Sequence, residues 1–264
     1  MENIYHYTSI ETLALILRNK TWRFTRLDNL DDIQESEHLQ YKLAKQVFVA
    51  CFTLEEKENI PQWKMYGGTK GIRISFNNKI PFKTMKIPSV ITGDFYSVIV
   101  PDKNSFDKIM LSYSDFRFFP HHHEDGNIIR DINFIEVEYD TYENVSVSKR
   151  DCVRGGELNF EINAKHIFAL KSDYWSFQKE VRSFVHILPK TDSFLTSMNY
   201  GCDLDYLDFI VDSAVFSENI SITLGPDCSY AERIIVESLL EAAGIRPESK
   251  VFDSFLNGKV RYKR

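Results

Sequence analysis

Long apolar runs are missing from the chain: nothing in its 264 residues approaches the roughly 18 consecutive apolar positions of a membrane-spanning helix. Met1-Glu2-Asn3-Ile4-Tyr5-His6 also lacks the basic and apolar stretches of an export signal. The expectation is a cytoplasmic protein with no membrane partner. Cysteine is scarce: Cys51, Cys152, Cys202 and Cys228 lie far apart and form no C-x-x-C pair, which excludes a disulfide scaffold and a self-evident zinc site. There is no basic excess either. With 32 Lys and Arg against 38 Asp and Glu, the net charge of −6 argues against a protein that grips nucleic acid mainly by its phosphates. Repeats, low-complexity tracts and long linkers are absent. Aromatic rings are abundant instead, with 20 Phe and 13 Tyr, in a chain whose hydrophobic share of 43% and charged share of 27% are those of a soluble globular protein.

Ile4-Tyr5-His6-Tyr7-Thr8-Ser9 reads as a strand ending at a cap, because apolar residues recur at helical spacing from Ile10 to Arg18. The strand delivers His6, Tyr7 and Thr8 to a helix N-terminus, where free amides and the helix dipole suit an anion. Thr21 to Arg26 predicts a second strand, Ile33 to Ala44 a helix, and Gln46 to Thr53 a buried strand. Pro61 opens a helical turn that Gly67 and Gly68 end, with Trp63 and Tyr66 three apart on one face as the wall of an aromatic pocket or as plain core. Strands are expected at Gly71 to Phe76, Phe95 to Val100, Phe134 to Tyr139, Asp208 to Val211 and Ile220 to Pro226, the last two bracketing a turn. Helices are expected near Phe106 to Tyr113 and Phe160 to Leu170, and from Tyr230 to Ala243 behind the cap Ser229. A closing hairpin is expected over Val251 to Tyr262. The order of elements predicts one α+β domain spanning residues 1–264, built on a mixed or antiparallel sheet.

The stretch with the most chemistry is Tyr174 to His186. As a strand it sets Gln178, Glu180 and Arg182 on one face and Phe177, Val181 and Val185 on the other. An amide, a carboxylate and a guanidinium then line one wall, either as a site or as a structural ion pair. Two clusters invite a metal: Asp28, Asp31 and Asp32, which read better as a solvated helix cap, and His121-His122-His123-Glu124-Asp125, which reads better as an exposed loop. Neither has ligand spacing, and no metal is expected.

The H-Y-T-S start, the C-F-T strand followed by Q-W-K-M-Y-G-G-x-x-G-I, the Y-W-S-F-Q-K-E-V-R block and the I-T-L-G-P-x-C-S ending resemble, over nearly the whole chain, the bacterial family catalogued as domain of unknown function 2971. More distantly the chain is similar to ADP-ribosyltransferases. The resemblance implies a split sheet with NAD as substrate and no metal, and a place in bacterial toxin or antiviral defence. It implies that His6 holds the adenosine ribose by donating to it, with Thr8 or the first-turn amides near a phosphate and Tyr7 among the cofactor-binding residues. Cys51-Phe52-Thr53 stands where a Ser-Thr-Ser is usual, Thr53 keeping a hydroxyl, while Tyr66 stacks on nicotinamide. Within Gln178-Lys179-Glu180, Glu180 would stabilise the oxocarbenium-like transition state and Gln178 would meet a protein or nucleic-acid acceptor. Arg182 would orient Glu180 or contact a phosphate. That reading requires His6, Thr53 and Glu180 to converge on one cleft and fails if His6 lies on the opposite side of the sheet. Its competitor is a non-catalytic module that binds a nucleotide or a protein partner.

Overall fold

Ile4–Thr8 forms strand β1, and Ser9 caps helix α1, Ile10–Asn19, its hydroxyl accepting from the Thr12 amide at 3.2 Å. Lys20, at φ 56°, turns the chain directly into β2, Thr21–Arg26. The computed structural model that gives these elements describes residues 3–76, 89–93, 96–100, 116–118, 134–156, 159–162, 164–189 and 198–260. The expected helix near Phe106 to Tyr113, the run His121 to Asp125 and Phe95 lie outside them.

The next elements are helix α2, Ile33–Glu37, strand β3, Val47–Thr53, helix α3, Ile60–Gln62, which runs into a π-helical turn, Trp63–Gly67, and strand β4, Ile72–Phe76. Strands β5, Ser89–Gly93, β6, Tyr96–Val100, β7, Phe116–Phe118, β8, Phe134–Glu136, and β9, Glu138–Asp140, precede helix α4, Tyr142–Arg150. Then come β10, Val153–Gly156, β11, Asn159–Ile162, helix α5, Ala164–Phe168, β12, Leu170–Ser172, and β13, Glu180–Pro189. The chain continues through β14, Tyr206–Ile210, helix α6, Ser213–Asn219, β15, Ile220–Leu224, helix α7, Tyr230–Ala242, and β16, Val251–Phe252.

The fold is α+β. Its main sheet runs β14-β2-β3-β1-β4-β15-β16, antiparallel except for the parallel β15–β16 pair, and β13 adds to β3 from Glu180↔Thr53 to His186↔Val47. β3 is shared. One of its edges carries β13, while the other meets β1 at Tyr5↔Thr53 and β2 at Thr25↔Val49 and Arg26↔Phe48. Between those two meeting points β1 and β2 part, so the sheet splits there.

Strand alternation gives β3 two different faces. Phe48, Ala50 and Phe52, with Val181 and Val185 of β13, enter the larger core, which also takes Leu13 and Ile16 of α1 and Val236 and Leu240 of α7. Val47 and Val49 enter a smaller core with Leu27, Leu43, Ile167 and Phe168. Aromatic and β-branched residues suit a strand buried on both sides.

Several expectations change. Tyr174 to Gln178 is not strand: Asp173–Gln178 is a 3-10 helix ended by Lys179 at φ 42°, and β13 begins at Glu180. Tertiary hydrogen bonds fix this reversal, the Lys179 carbonyl accepting from the Thr53 hydroxyl at 3.1 Å and the Gln178 carbonyl from Gln62 Nε2 at 2.8 Å. Gln178 and Phe177 therefore leave the strand alternation, whereas Glu180 and Arg182 keep theirs. The helix expected from Ile33 to Ala44 stops at Glu37, with a separate 3-10 turn at Leu43–Lys45. The one expected over Phe160 to Leu170 divides into β11, α5 and the start of β12. Helix α6 fills the supposed turn between β14 and β15. Val251–Phe252 pairs in parallel with β15 instead of opening a hairpin. Among the described residues no helix is long and apolar enough to cross a membrane.

Candidate functional site

A cavity of about 490 Å³ lies at the split of the sheet. Antiparallel partners project to one side, so Glu180, Arg182, Cys51, Thr53 and Tyr5 share a face, and His6 belongs to the other with Phe52. On register, then, His6 and Glu180 lie on opposite faces of the sheet. The split brings both faces into one space: His6, Trp22 and Phe52 line the cavity from one side, and Tyr5, Cys51 and Glu180 from the other. Tyr7, Gln178 and Tyr66 also line it.

The His6 ring packs edge-on against Trp22 with centroids 5.0 Å apart, and its Nδ1 lies 2.9 Å from the Cys51 carbonyl oxygen. A carbonyl only accepts, so Nδ1 carries the hydrogen and Nε2 is left as the acceptor nitrogen. Burial lowers the pKa, with the Cys51 contact opposing it, and the ring is neutral. With Nδ1 committed to the Cys51 carbonyl, the neutral ring has only its acceptor nitrogen Nε2 left, which does not suit the expected donation from His6 to a ribose.

Glu180 belongs to a buried charge network. Arg182 Nε donates to its Oε1 at 2.5 Å, and Arg182 Nη2 and Lys171 Nζ each reach its Oε2 at 3.2 Å. The other end of the Arg182 fork holds Glu35, with Nη2 2.9 Å from Oε2 and Nη1 on Oε1, and Nη1 also donates to the Phe168 carbonyl at 2.9 Å. The Arg182 and Glu35 side chains are wholly buried. Burial alone would raise the Glu180 carboxyl; Arg182 and then Lys171 outweigh it and hold the group below its usual range, hence ionised. Two carboxylates thus face two cations, and each Glu180 oxygen already has a donor. Tyr139 supports the strand, its hydroxyl accepting from the Glu180 amide at 2.9 Å; burial raises its pKa to about 12.

From this network a polar chain leads along the cavity wall. Lys171 Nζ donates to Gln178 Oε1 at 2.9 Å, Gln178 Nε2 donates to the Tyr66 hydroxyl, and that hydroxyl donates to Asp31 Oδ2 at 2.6 Å. Tyr66 reaches the wall because it sits in a π-helical turn, whose wider winding separates residues three apart. Trp63 is consequently not its neighbour on one face. It is fully buried, edge-on to Tyr7 at 4.8 Å, with Nε1 donating to Glu58 at 3.0 Å, and it belongs to the core. The turn ends against β1 and β4 at a glycine: a Cβ on Gly71 would lie 1.8 Å from the Gly67 carbonyl oxygen.

The remaining expected site residues stand back from the cavity. The Thr53 hydroxyl is spent on the Lys179 carbonyl and the Glu55 amide, at 3.1 Å each. Thr8 is buried in the β1–β4 ladder opposite Ile72, and Arg182 sits behind Glu180. The three aspartates diverge: Asp28 pairs with Arg26 at 2.5 Å, Asp31 accepts from Tyr66, and Asp32 caps α2. Among the described residues no group of three or more His, Cys, Asp or Glu side chains is placed to hold a metal. The sequence reading missed Glu35, Lys171 and Gln62; Cys51, read as standing at the place of a serine, lies on the Arg182 face and lines the cavity, whereas Glu35, in a short polar helix, offered no signal. No family model matches the chain, and neither a curated protein nor a solved structure matches it.

Proposed function

We propose that the cavity at the split of the sheet is a binding site for a small, ring-bearing ligand of the nucleotide type, and that the chain acts as a binding module. The observation that carries this reading is the joint lining by aromatic rings and hydrogen-bonding side chains: Tyr5, Trp22, Phe52 and Tyr66 with His6 and Gln178. Largely apolar walls with a few fixed polar groups, in a volume within the roughly 300–1,000 Å³ of small-molecule sites, are the usual form of such a pocket. Glu180 acts here as the inner, structural end of the wall, because both its oxygens are already engaged by Arg182 and Lys171. The distant likeness to ADP-ribosyltransferases makes NAD the first ligand to titrate.

A second reading, cleavage of the nicotinamide–ribose bond of NAD, draws on one observation, an ionised Glu180 lining the same cavity as His6. Against it, His6 projects from the opposite face of the sheet and Thr53 stands back from the cavity, so the full convergence that reading requires is not met. In it Glu180 would stabilise positive charge on the ribose and Gln178 would meet an acceptor or water. Calorimetric titration of NAD into the full chain, with free nicotinamide measured in the same samples, separates the readings. Binding without nicotinamide release, with or without cell lysate as a source of acceptors, supports the module. Release that falls about a hundredfold or more in Glu180→Gln at unchanged melting supports the enzyme. In the module the same substitution breaks a buried pair and costs about 3 kcal/mol of stability.

A further inference from the structure

One wall of the cavity is held in place by charge alone. Leu27 is wholly buried in the smaller core and Leu39 packs against the same core; between them Asn29, Leu30 and Asp31 line the cavity, and α2 follows directly. The side chains that residues 28–38 bury are Asp32 and Glu35, both carboxylates, while Leu30 is half-buried and Ile33 of α2 is 77% exposed. Backbone hydrogen bonds do not tie the segment down. Among the described residues they close within it, Leu30 donating to the Leu27 carbonyl at 3.3 Å, Glu35 to Asp32 at 3.1 Å and Leu39 to Ser36 at 3.3 Å. Its ties to the rest of the chain are polar side chains. Asn29 Nδ2 donates to Asp205 Oδ1 at 3.1 Å, Asp31 accepts from Tyr66, and His38 Nε2 lies 3.1 Å from the Tyr142 hydroxyl. The deepest tie is Glu35, held by Arg182 at 2.9 Å with Lys171 at 3.7 Å. Asp32 Oδ2 beside it is sealed from solvent without a hydrogen-bond partner, and burial, with Glu35 next, raises that carboxyl above its usual range.

Such a segment resists opening less than an apolar one. Deleting one partner of a buried pair strands the other charge in a dry site, but swinging the whole segment out lets water reach both, and the hydration regained largely offsets the attraction lost. Asp32 gains too, because water satisfies its orphaned oxygen. We propose that residues 29–38 are a gate of the cavity, hinged at Leu27 and Leu39 and held shut by the grip of Arg182 on Glu35, and that a ligand enters and leaves when it swings out with β3 and β13 still paired. Opening takes Asn29, Leu30 and Asp31 out of the lining, parts the bond between Asp31 and Tyr66, and turns the wall of Glu180 and Gln178 to solvent. The passage of a ligand rests on the reading of the cavity as a binding site; the opening is a property of the free chain.

Amide hydrogen exchange followed by mass spectrometry on the full chain, without ligand, tests the opening. Residues 29–38 are expected to exchange at least about a hundredfold faster than β3 and β13. Glu35→Gln, which keeps the shape and drops the charge, should speed the segment a further tenfold or so and leave β3 and β13 unchanged. Exchange of 29–38 in step with β13, or a variant that speeds all three alike or none, overturns the gate. Should Glu35→Gln fail to fold, Tyr66→Phe carries the same test: without its bond to Asp31 the segment exchanges about threefold faster and β13 does not, and an unchanged rate overturns the gate. Stopped-flow mixing with NAD reads the passage. Association and dissociation should both quicken about tenfold in Glu35→Gln, with the Kd moving less than about threefold. Equal association rates in variant and wild type mean that NAD bypasses the segment, and overturn the passage. If NAD does not bind, the nucleotide reading falls, and exchange alone decides the gate.

Discussion

The two faces of the β3–β13 pair are made by the same strands and solved in opposite ways. One face is Phe48, Ala50 and Phe52 against Val181 and Val185, an apolar surface closed by α1 and α7. The other carries Cys51 and Thr53 beside Glu180 and Arg182, and the charges of Glu35 and Lys171 come in from α2 and β12 to meet them. Burial is deep on both, Cys51 on the polar face being the half-buried exception. On the first it stabilises directly, at roughly 25 cal/mol for each Å² removed from water. On the second it costs desolvation, which mutual pairing offsets only while every partner is present. The first face is therefore tolerant and the second all-or-none.

The largest break of this contrast is Arg182→Met. It leaves Glu35 and Glu180 facing each other with one cation, Lys171, between them, and should cost about 4–5 kcal/mol, whereas Phe48→Ala on the apolar face should cost about 3–4 kcal/mol. Urea unfolding of both variants at neutral pH measures the difference. Acid should then tell the faces apart: the Arg182→Met deficit shrinks as the two carboxyls protonate, and the Phe48→Ala deficit does not.

A smaller effect is expected in the wild type on acidification. The folded Glu180 carboxyl sits below its ordinary value of 4.5. Its contribution is therefore fully present above pH 4.5 and is lost as pH falls further, because the unfolded chain then takes up the proton first. Lys149 works at the other end of the scale. Burial lowers its pKa to about 8 from 10.5, so the folded state binds fewer protons than the unfolded one between these values and stability rises with pH across that window. Unfolding free energy measured from pH 3 to pH 10 checks both slopes, and a flat profile below pH 4.5 would deny Glu180 its ionised, paired state.

The smallest change is Tyr66→Phe. It removes the link from Gln178 to Asp31 at a partly exposed position, worth about 1 kcal/mol, and leaves the Glu180 network intact. Ligand affinity should respond more than melting does. A loss of stability as large as that of Arg182→Met would mean that the polar chain and the buried network are one unit.

Local chemistry was enough for much of the scaffold. Thr21–Arg26 is a strand because β-branched and aromatic residues alternate with polar ones, and Tyr230–Ala242 is a helix because Ser229 and Glu232 close a capping box and Gly244 accepts φ +78°. Those signals lie within a few residues of the structure they cause. The same holds for Glu180 and Arg182 sharing a face, which follows from a period of two. Gln178 failed that rule because the bond that turns the chain at Lys179 comes from Thr53, distant in sequence.

By itself, then, the sequence determined that this chain is an α+β fold rich in rings, with a carboxylate and a guanidinium side by side on a buried strand. Only the tertiary structure decided what they meet. Glu35 and Lys171 look like solvated surface residues in their own segments, and they become the counter-charges of Glu180 and Arg182 because α2 and β12 pack over that face. His6 lies on one side of the sheet and Glu180 on the other, and they line one cavity because β1 and β2 part along β3. Periodicity fixes which way a side chain points from its strand; which strand lies next to it depends on long-range pairing, which no local pattern encodes.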